Sequence, residues 1–166
     1  MDEKYTFFWN GPFSQWDASP FMDLTGLMYN CCEQAMMAHK AMTFKDEESF
    51  KKIMGTTSPR EQKALGRKVK NFNPKVWDVM SSLIVYDMNL LKFSQNKKHQ
   101  EALLKTGDTI LVEASPYDKI WGVSMSEDDS RINDMSQWKG QNRLGFILTR
   151  VREVLKDEMA HQDIKA

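Results

Sequence analysis

Residues 30–41 read NCCEQAMMAHKA, and their spacing predicts the first helix of the protein, capped by Asn30 and continuing to about Phe44. Glu33 and Lys40 are two charged residues in the apolar stripe of this helix. The other members of the stripe are Met36, Met37 and Phe44. Because Glu33 and Lys40 are seven residues apart, their side chains point within about 20° of each other, with Cα atoms roughly 10 Å apart. That distance is too long for an easy direct ion pair, but a group bound between the two side chains could contact both.

The sequence leaves two explanations for these charges open. In the first, Glu33 and Lys40 act together on a ligand. In the second, each of them pairs with a residue elsewhere in the core, or the stripe is exposed, and structural ion pairs of this kind are common.

The composition favours a folded globular protein of one domain. The 166 residues are 41% hydrophobic and include five Trp, so we expect a single domain over residues 1–166, with a core of about 5–158. Lys and Arg total 23, as do Asp and Glu, so the net charge is zero and gives no support for non-specific nucleic-acid binding. A local basic patch remains compatible with this balance. No apolar run approaches the roughly 20 residues that span a bilayer, and the N-terminal residues MDEKYTFF are not expected to be a signal peptide.

The cysteines and histidines predict neither a disulfide nor a metal site. Cys31 and Cys32 are adjacent, and neighbouring side chains on a helix point about 100° apart, which is poor geometry for a disulfide. We therefore expect reduced thiols and a cytoplasmic protein. The histidines lack the spacing of metal ligands. They are His39, His99 and His161.

The remaining elements are predicted from capping signals and apolar spacing. Ser58-Pro59 is a helix start signal, and the helix that it opens is expected to carry ALGRKVKNF, residues 64–72. Asn73-Pro74 repeats the signal and opens a long helix whose apolar residues are three or four apart. Further helices are expected at residues 46–54, 96–106 and 142–158, and strands at 5–9, 24–29 and 109–114. The predicted fold class is α+β, mostly α-helical, with a few short strands.

A turn-rich segment, EASPYDKIWG (residues 113–122), directly follows the last predicted strand. Loops at strand ends carry binding and catalytic groups more often than cores do. Asp118 and Trp121 place a carboxylate close to a flat apolar ring on which a base or sugar could stack. The alternative is that Asp118 forms the turn and Trp121 fills the core.

Two further segments carry candidate ligand groups. In WKGQNRLG (residues 138–145), Asn142 is expected to cap the last helix. Lys139 and Gln141 would then lie near a helix N-terminus, where backbone amides favour an anion such as phosphate.

The segment LGRKVKNF (residues 65–72) contributes Arg67, Lys68 and Lys70. Such cations usually form a solvated face, and at most one of these three is expected to bind a ligand. The chain has no P-loop and no GxGxxG, GxSxG, HExxH or CxxC motif, which argues against the common NTPase, dehydrogenase, α/β-hydrolase and zinc-enzyme classes.

Taken in order, these segments resemble the NADAR family over almost the whole chain, from about Tyr5 to Leu155. The matching stretches are FFWNGPFSQW, YNCCEQAMMAHKAMTF, LGRKVKNFNPKVWD, KFSQN, LLKTGDTILVEASPYDKIWG and WKGQNRLGFILTRVR. No single stretch is decisive, but the ordered set is highly specific. The resemblance implies the fold of that family.

The resemblance also implies an N-glycosidase, a hydrolase that splits the bond between a ribose and an amino-bearing base. The implied substrate is ADP-ribose attached to guanine, as a small molecule or in nucleic acid. Phosphoribosylamino-pyrimidine intermediates of riboflavin synthesis are the alternative, and a non-catalytic module that binds ADP-ribose or a related nucleotide is the second alternative. The family implies no metal or redox cofactor, and the lack of a membrane-length apolar run predicts no membrane partner.

Carried over to this sequence, the motifs imply that Glu33, Lys40 and Asp118 are catalytic and that Trp121 stacks on the base. Lys40 would attack the anomeric carbon and hold the sugar as a Schiff base, with Glu33 as general acid and base. A route through an oxocarbenium ion stabilised by the carboxylates is the competing mechanism. The further candidates for substrate binding are Trp9 and Phe13 as additional walls, and Arg67, Lys139 and Gln141 as phosphate contacts.

Two segments depart from the family pattern. Gln15 stands in FSQW where relatives often have Asn, so any role of that Asn would fall to a longer side chain here. Residues 124–137 lack the glycine-rich continuation that many relatives show after IWG, and a different substrate preference is compatible with this.

Overall fold

The structure is a computed structural model that describes residues 4–165. These residues form two compact units, one made of residues 15–96 and the other of residues 4–14 and 97–165. In chain order the elements are β1 (Tyr5–Phe8), β2 (Phe21–Met22), β3 (Met28–Tyr29), α1 (Cys32–Thr43), α2 (Glu47–Met54), α3 (Pro59–Gly66), α4 (Pro74–Gln95), α5 (Lys97–Leu104), β4 (Ile110–Glu113) and α6 (Arg143–Lys165). Two short 3-10 helices, Ser130–Asn133 and Met135–Gln137, precede α6.

In the unit of residues 15–96, α1 packs against α2, α3 and α4. The predicted start signals are confirmed, because the Ser58 hydroxyl accepts from the Glu61 N–H and the Asn73 side chain accepts from the Lys75 N–H. Gly66 brings α3 close to α1. A Cβ at this position would overlap the side chain of Met37.

The sequence misplaced two boundaries around α1. Asn30 is not the cap, because its side chain is bonded to the Thr57 carbonyl and to Gln62 instead. Cys31 occupies the cap position and forms no side-chain cap bond. The strand expected at residues 24–29 is reduced to β3, which pairs antiparallel with β2.

The helix expected to carry residues 64–72 ends at Gly66, so residues 67–73 are a loop between α3 and α4. Two features turn the chain here. Asn71 has a left-handed backbone with φ of 60°, and the Lys70 N–H donates to the Asp46 carboxylate at 2.9 Å. Both are incompatible with a continued helix.

In the other unit, β1 and β4 pair in parallel, with Tyr5 opposite Ile110 and Phe8 opposite Glu113. α6 packs on β4, and α5 packs on α6. One hydrophobic cluster of this unit is made of Tyr5, Val112, Ala114, Val123, Met125 and Ile132. Parallel pairing brings the C-terminal ends of both strands to the same edge, from which Trp9 and the EASPYDKIWG segment continue.

Asn142 was expected to cap α6, and it does directly precede this helix, with its carbonyl accepting from the Phe146 N–H at 3.1 Å, but its side chain has partners that the sequence did not predict. Its side chain is fully buried and bonds to the backbone of β4, donating to the Leu111 carbonyl at 3.0 Å and accepting from the Glu113 N–H at 2.9 Å. The Asn142 side-chain amide thus makes the two hydrogen bonds to β4 that the backbone of a neighbouring strand would make. α6 also extends to Lys165, seven residues beyond its expected end at 158.

The predicted fold class is confirmed: α+β with helices in the majority and few short strands. That residues 1–166 are one domain stays a prediction, and residues 1–3 and 166 lie outside the described part. Within residues 4–165, no helix has both the length and the apolar character that crossing a membrane requires.

Candidate active site

α1 places Glu33 in its first turn and Lys40 in its last turn. Glu33 is 7% exposed, so this carboxylate lies inside the protein. Lys40 is half-buried, which leaves its amine within reach of a ligand. Met36 and Met37, each 6% exposed, lie between the two charges along the helix and form an apolar wall.

Lys40 lies against two aromatic rings. Its Nζ atom is 4.5 Å from the ring centroid of Phe72 and 5.7 Å from that of Trp77. Phe44, the residue directly after α1, packs on both rings, with centroid distances of 5.4 Å to Phe72 and 6.3 Å to Trp77. The amine therefore sits at the edge of an aromatic cluster.

Burial lowers the pKa of Lys40 below its ordinary value of 10.5. The negative charge of Glu33 opposes this effect, while the positive charge of Arg67 adds to it. The two residues are thus electrostatically coupled to Lys40. A lysine with a lowered pKa has a larger fraction of neutral amine at neutral pH, which is the form that acts as a nucleophile.

Gln15 helps to hold the start of α1. Its backbone carbonyl accepts from the Glu33 N–H at 2.9 Å, and its side-chain oxygen accepts from Asn89 at 2.9 Å. Asn89 is fully buried and also accepts from the Cys32 thiol at 3.6 Å. Gln15 is therefore a support for the backbone that carries Glu33.

Cys31 and Cys32 are free and completely buried. Burial raises the pKa of the Cys32 thiol to about 12, so this residue is a protonated packing group. Burial likewise raises the pKa of Cys31.

The unit of residues 4–14 and 97–165 holds the EASPYDKIWG candidates. One oxygen of Asp118 accepts from the backbone N–H groups of Ile120 and Trp121, at 2.9 and 2.8 Å, so Asp118 does form the turn. The Trp121 side chain is half-buried. Trp9 is 48% exposed and faces the ring of Tyr117, which is 85% exposed, at 6.4 Å.

The other wall candidate, Phe13, is 9% exposed and packs edge-on against Phe8. Phe13 therefore packs in the interior more than it lines an exposed surface that a substrate could contact.

The backbone amides at the start of α6 were expected to favour an anion such as phosphate. This expectation does not hold, because these amides already donate hydrogen bonds within the protein. The N–H groups of Gln141, Asn142, Arg143 and Leu144 donate to carbonyls of residues 119–122 at 2.8–3.1 Å. The Gln141 side chain accepts from Arg143. Lys139 and Gln141 remain predicted contacts through their side chains only.

The nine predicted site residues thus divide between the two units. Glu33, Lys40 and Arg67 lie in the unit of residues 15–96, where the charges of Glu33 and Arg67 act on Lys40. The other unit contains Trp9, Phe13, Asp118, Trp121, Lys139 and Gln141.

Comparison with known proteins identifies the family. The NADAR domain family matches residues 6–156. The chain belongs to this family. An N-glycosidase of Acanthamoeba polyphaga mimivirus is 42% identical over 163 residues, covering 91% of this chain and 96% of that protein. An N-glycosidase of Nostoc punctiforme is 33% identical over 125 residues, covering 75% and 73% of the two chains.

A solved structure confirms the fold. The NMR structure of the Escherichia coli protein YbiA has a TM-score of 0.77 and 27% identity, covering 96% of this chain and 89% of YbiA. A YbiA protein of that organism is also named an N-glycosidase.

The NADAR motifs of this chain serve partly as scaffold. Gly122, Gly140 and Gly145 each lie so close to backbone carbonyls that a side chain would not fit, and Asn142 binds β4. Phe72 and Trp77, beside Lys40, were missed as site residues although both lie in the NADAR segment LGRKVKNFNPKVWD. The signal was present there as two aromatic residues next to a basic cluster.

Proposed function

We propose that the protein hydrolyses the N-glycosidic bond between ADP-ribose and guanine. The chain is an N-glycosidase, a hydrolase of N-glycosyl bonds, as are the relatives of its family that carry this name. The identity of the ribosylated base is the part of this assignment that we propose. ADP-ribosyl-guanine is preferred over a phosphoribosylamino-pyrimidine because of the overall likeness of the motifs.

The observation that carries the proposal is the environment of Lys40. Lys40 is half-buried, the pKa of its amine is lowered by burial, and this amine is coupled to the buried carboxylate of Glu33. A surface lysine that merely formed an ion pair would show the opposite shift. These are the properties of a lysine nucleophile with an acid–base partner.

In the proposed reaction, the lone pair of the Lys40 amine forms a bond to the anomeric carbon of the ribose. The bond from that carbon to the base breaks, and its electron pair leaves on the amino group of guanine. This group takes from Glu33 the proton that Glu33 received when the Lys40 ammonium group became the neutral amine. Opening of the sugar ring places a proton on the ring oxygen and leaves a protonated Schiff base. Water then adds to the carbon and releases the amine, so the net change is hydrolysis.

Asp118 and Trp121 are proposed to contact the substrate as well. One oxygen of Asp118 is occupied by two backbone amides, so the other oxygen would orient a ribose hydroxyl or the attacking water. Trp121 would stack on the base. Each role is tested by Asp118→Asn and Trp121→Leu, which should lower turnover without unfolding the protein.

The test of the proposal is a release assay. The protein is incubated with an oligonucleotide carrying ADP-ribosyl-guanine and, separately, with a phosphoribosylamino-pyrimidine, and released ADP-ribose or ribose phosphate is measured by chromatography. We expect release from the first substrate. Release from the pyrimidine alone would move the assignment to the riboflavin intermediate, and release from neither would refute the glycosidase mechanism for these substrates.

Lys40→Arg is the matched control, because it keeps a positive charge in place but has no nucleophilic amine. It should bind ADP-ribose in calorimetry and lose turnover by orders of magnitude. Borohydride should trap a covalent adduct in the wild type and not in this variant. A wild type that binds ligand without turnover would instead be a binding module.

A further inference from the structure

The contact between Lys40 and two aromatic faces is not used by the mechanism above. Both distances, 4.5 Å to Phe72 and 5.7 Å to Trp77, fall within the roughly 6 Å over which a cation is attracted to a ring face. Lys40 is half-buried, so water screens this attraction less than it would at a fully exposed site.

The two rings are held in place from behind by Phe44. Phe44 is 8% exposed and packs edge-on against Phe72 at an angle of 74°, and at 59° against Trp77. Trp77 lies in the first turns of α4, whose start is fixed by the Asn73 cap. Neither ring is free to turn away without disturbing this packing.

The loop that carries Phe72 is also fixed. The Asp46 carboxylate accepts from the Lys70 N–H at 2.9 Å and from the Ser49 hydroxyl at 2.7 Å. These hydrogen bonds lower the pKa of Asp46 to about 2, so the Asp46 carboxylate stays ionised at neutral pH. The Phe72 ring is therefore placed by the backbone even though 44% of the residue is exposed.

We propose that Phe72 and Trp77 are positioning residues for Lys40. The ring faces of Phe72 and Trp77 stabilise a positive charge on the Nζ atom of Lys40. In the free protein this charge is the ammonium group. During the reaction it is the protonated Schiff base, and this second part rests on the proposed function. The charged residues that act on Lys40 are Glu33 on α1 and Arg67 at the end of α3, while Phe72 and Trp77 face it from the loop and from α4.

This arrangement makes removal of a ring change two properties in opposite directions. Without the ring face the ammonium form is less stable, so a larger fraction of Lys40 is neutral and reacts faster with a small acylating reagent. The protonated Schiff base loses the same stabilisation, so turnover of the ribosyl substrate falls. A change that merely exposed the amine to water would also speed acetylation, but it would relieve the burial that lowers the pKa of Lys40 and so raise that pKa. Loss of the ring face should instead lower the pKa of Lys40, and the pH dependence of acetylation separates the two cases.

The experiment compares Phe72→Leu with the wild type. Acetylation of Lys40 by acetic anhydride near neutral pH is followed by peptide mass spectrometry, and turnover is measured in the release assay. We expect acetylation about threefold faster and turnover at least about threefold slower. Phe72→Tyr, which keeps a ring, should restore both rates.

Phe146→Leu is the matched control, because Phe146 is 42% exposed, close to the 44% of Phe72, and lies on α6 in the other unit. It should change neither rate. Trp77→Leu should act in the same direction as Phe72→Leu and provides the test should that variant fail to fold.

Unchanged acetylation in both leucine variants would overturn the proposal, as would acetylation and turnover that fall together. The measurement of Lys40 acetylation does not depend on the protein having enzyme activity. If the wild type released nothing from either substrate, the proposed function would fail while the contact between the rings and Lys40 would still be tested.

Discussion

Replacing Asn142 by Ala should be among the most destabilising single changes in the protein. The Asn142 side chain is fully buried and makes two hydrogen bonds to β4, to the Leu111 carbonyl and to the Glu113 N–H. Its backbone is left-handed, with φ of 52°, a conformation that Asn tolerates and Ala does not. Asn142→Ala therefore removes both bonds and adds backbone strain.

The magnitude follows from these contacts. A buried polar group that loses its hydrogen bond costs about 1–3 kcal/mol, so the two groups on β4 together cost about 2–6 kcal/mol. The left-handed backbone adds about 1 kcal/mol for Ala. Since a native protein is stable by roughly 5–15 kcal/mol in total, the variant should be close to unfolding.

Urea unfolding followed by circular dichroism measures the loss as a lower midpoint. Asn142→Gly is the informative control, because Gly adopts the left-handed backbone freely and loses only the hydrogen bonds. It should be more stable than the Ala variant by about 1 kcal/mol and still far below the wild type. An Asn142→Gly protein as stable as the wild type would refute the bonding role of the side chain.

Three further predictions concern titration and packing. The turnover rate should rise with pH and reach half its plateau below pH 10.5, because burial lowers the pKa of Lys40; a midpoint at or above 10.5 would contradict this. Burial also lowers the pKa of His39 from 6.5, so its contribution to the free energy of unfolding is present above pH 6.5 and is lost as the pH falls through the lower folded pKa. His39→Gln should flatten that part of the pH-stability curve, and an unchanged slope would argue against burial of the neutral ring. Gly66→Ala should lower the free energy of unfolding in urea by about 1–3 kcal/mol, because the added Cβ overlaps the side chain of Met37. Met37→Ala in the same chain should recover part of this loss. If the losses of the two variants simply added, the overlap would be contradicted.

Local signals predicted the helices well. Ser58-Pro59 and Asn73-Pro74 start α3 and α4 as expected, because a capping side chain and a proline act within one turn and need no distant partner. The sequence did not predict the bonding of side chains that have distant partners. Asn30 and Asn142 both look like caps, but each is bonded to another part of its unit.

The family and the class of activity were also within reach of the sequence, and both are confirmed. The predicted roles of individual site residues stay predictions. Periodicity placed Glu33 and Lys40 on one stripe of α1, and the structure adds that Glu33 is buried and that its charge acts on Lys40. The cytoplasmic location likewise stays a prediction.

The sequence by itself determined the helical majority, the position of α1 and the presence of an acid and an amine on its apolar stripe. All of these follow from spacing along one helix, which is a local property. Only the tertiary structure decided that residues 67–73 leave the helix and carry Phe72 to Lys40, and that Asn142 completes β4. Both depend on hydrogen bonds and packing between residues that are distant in the chain, and no local pattern encodes which distant partner will be met.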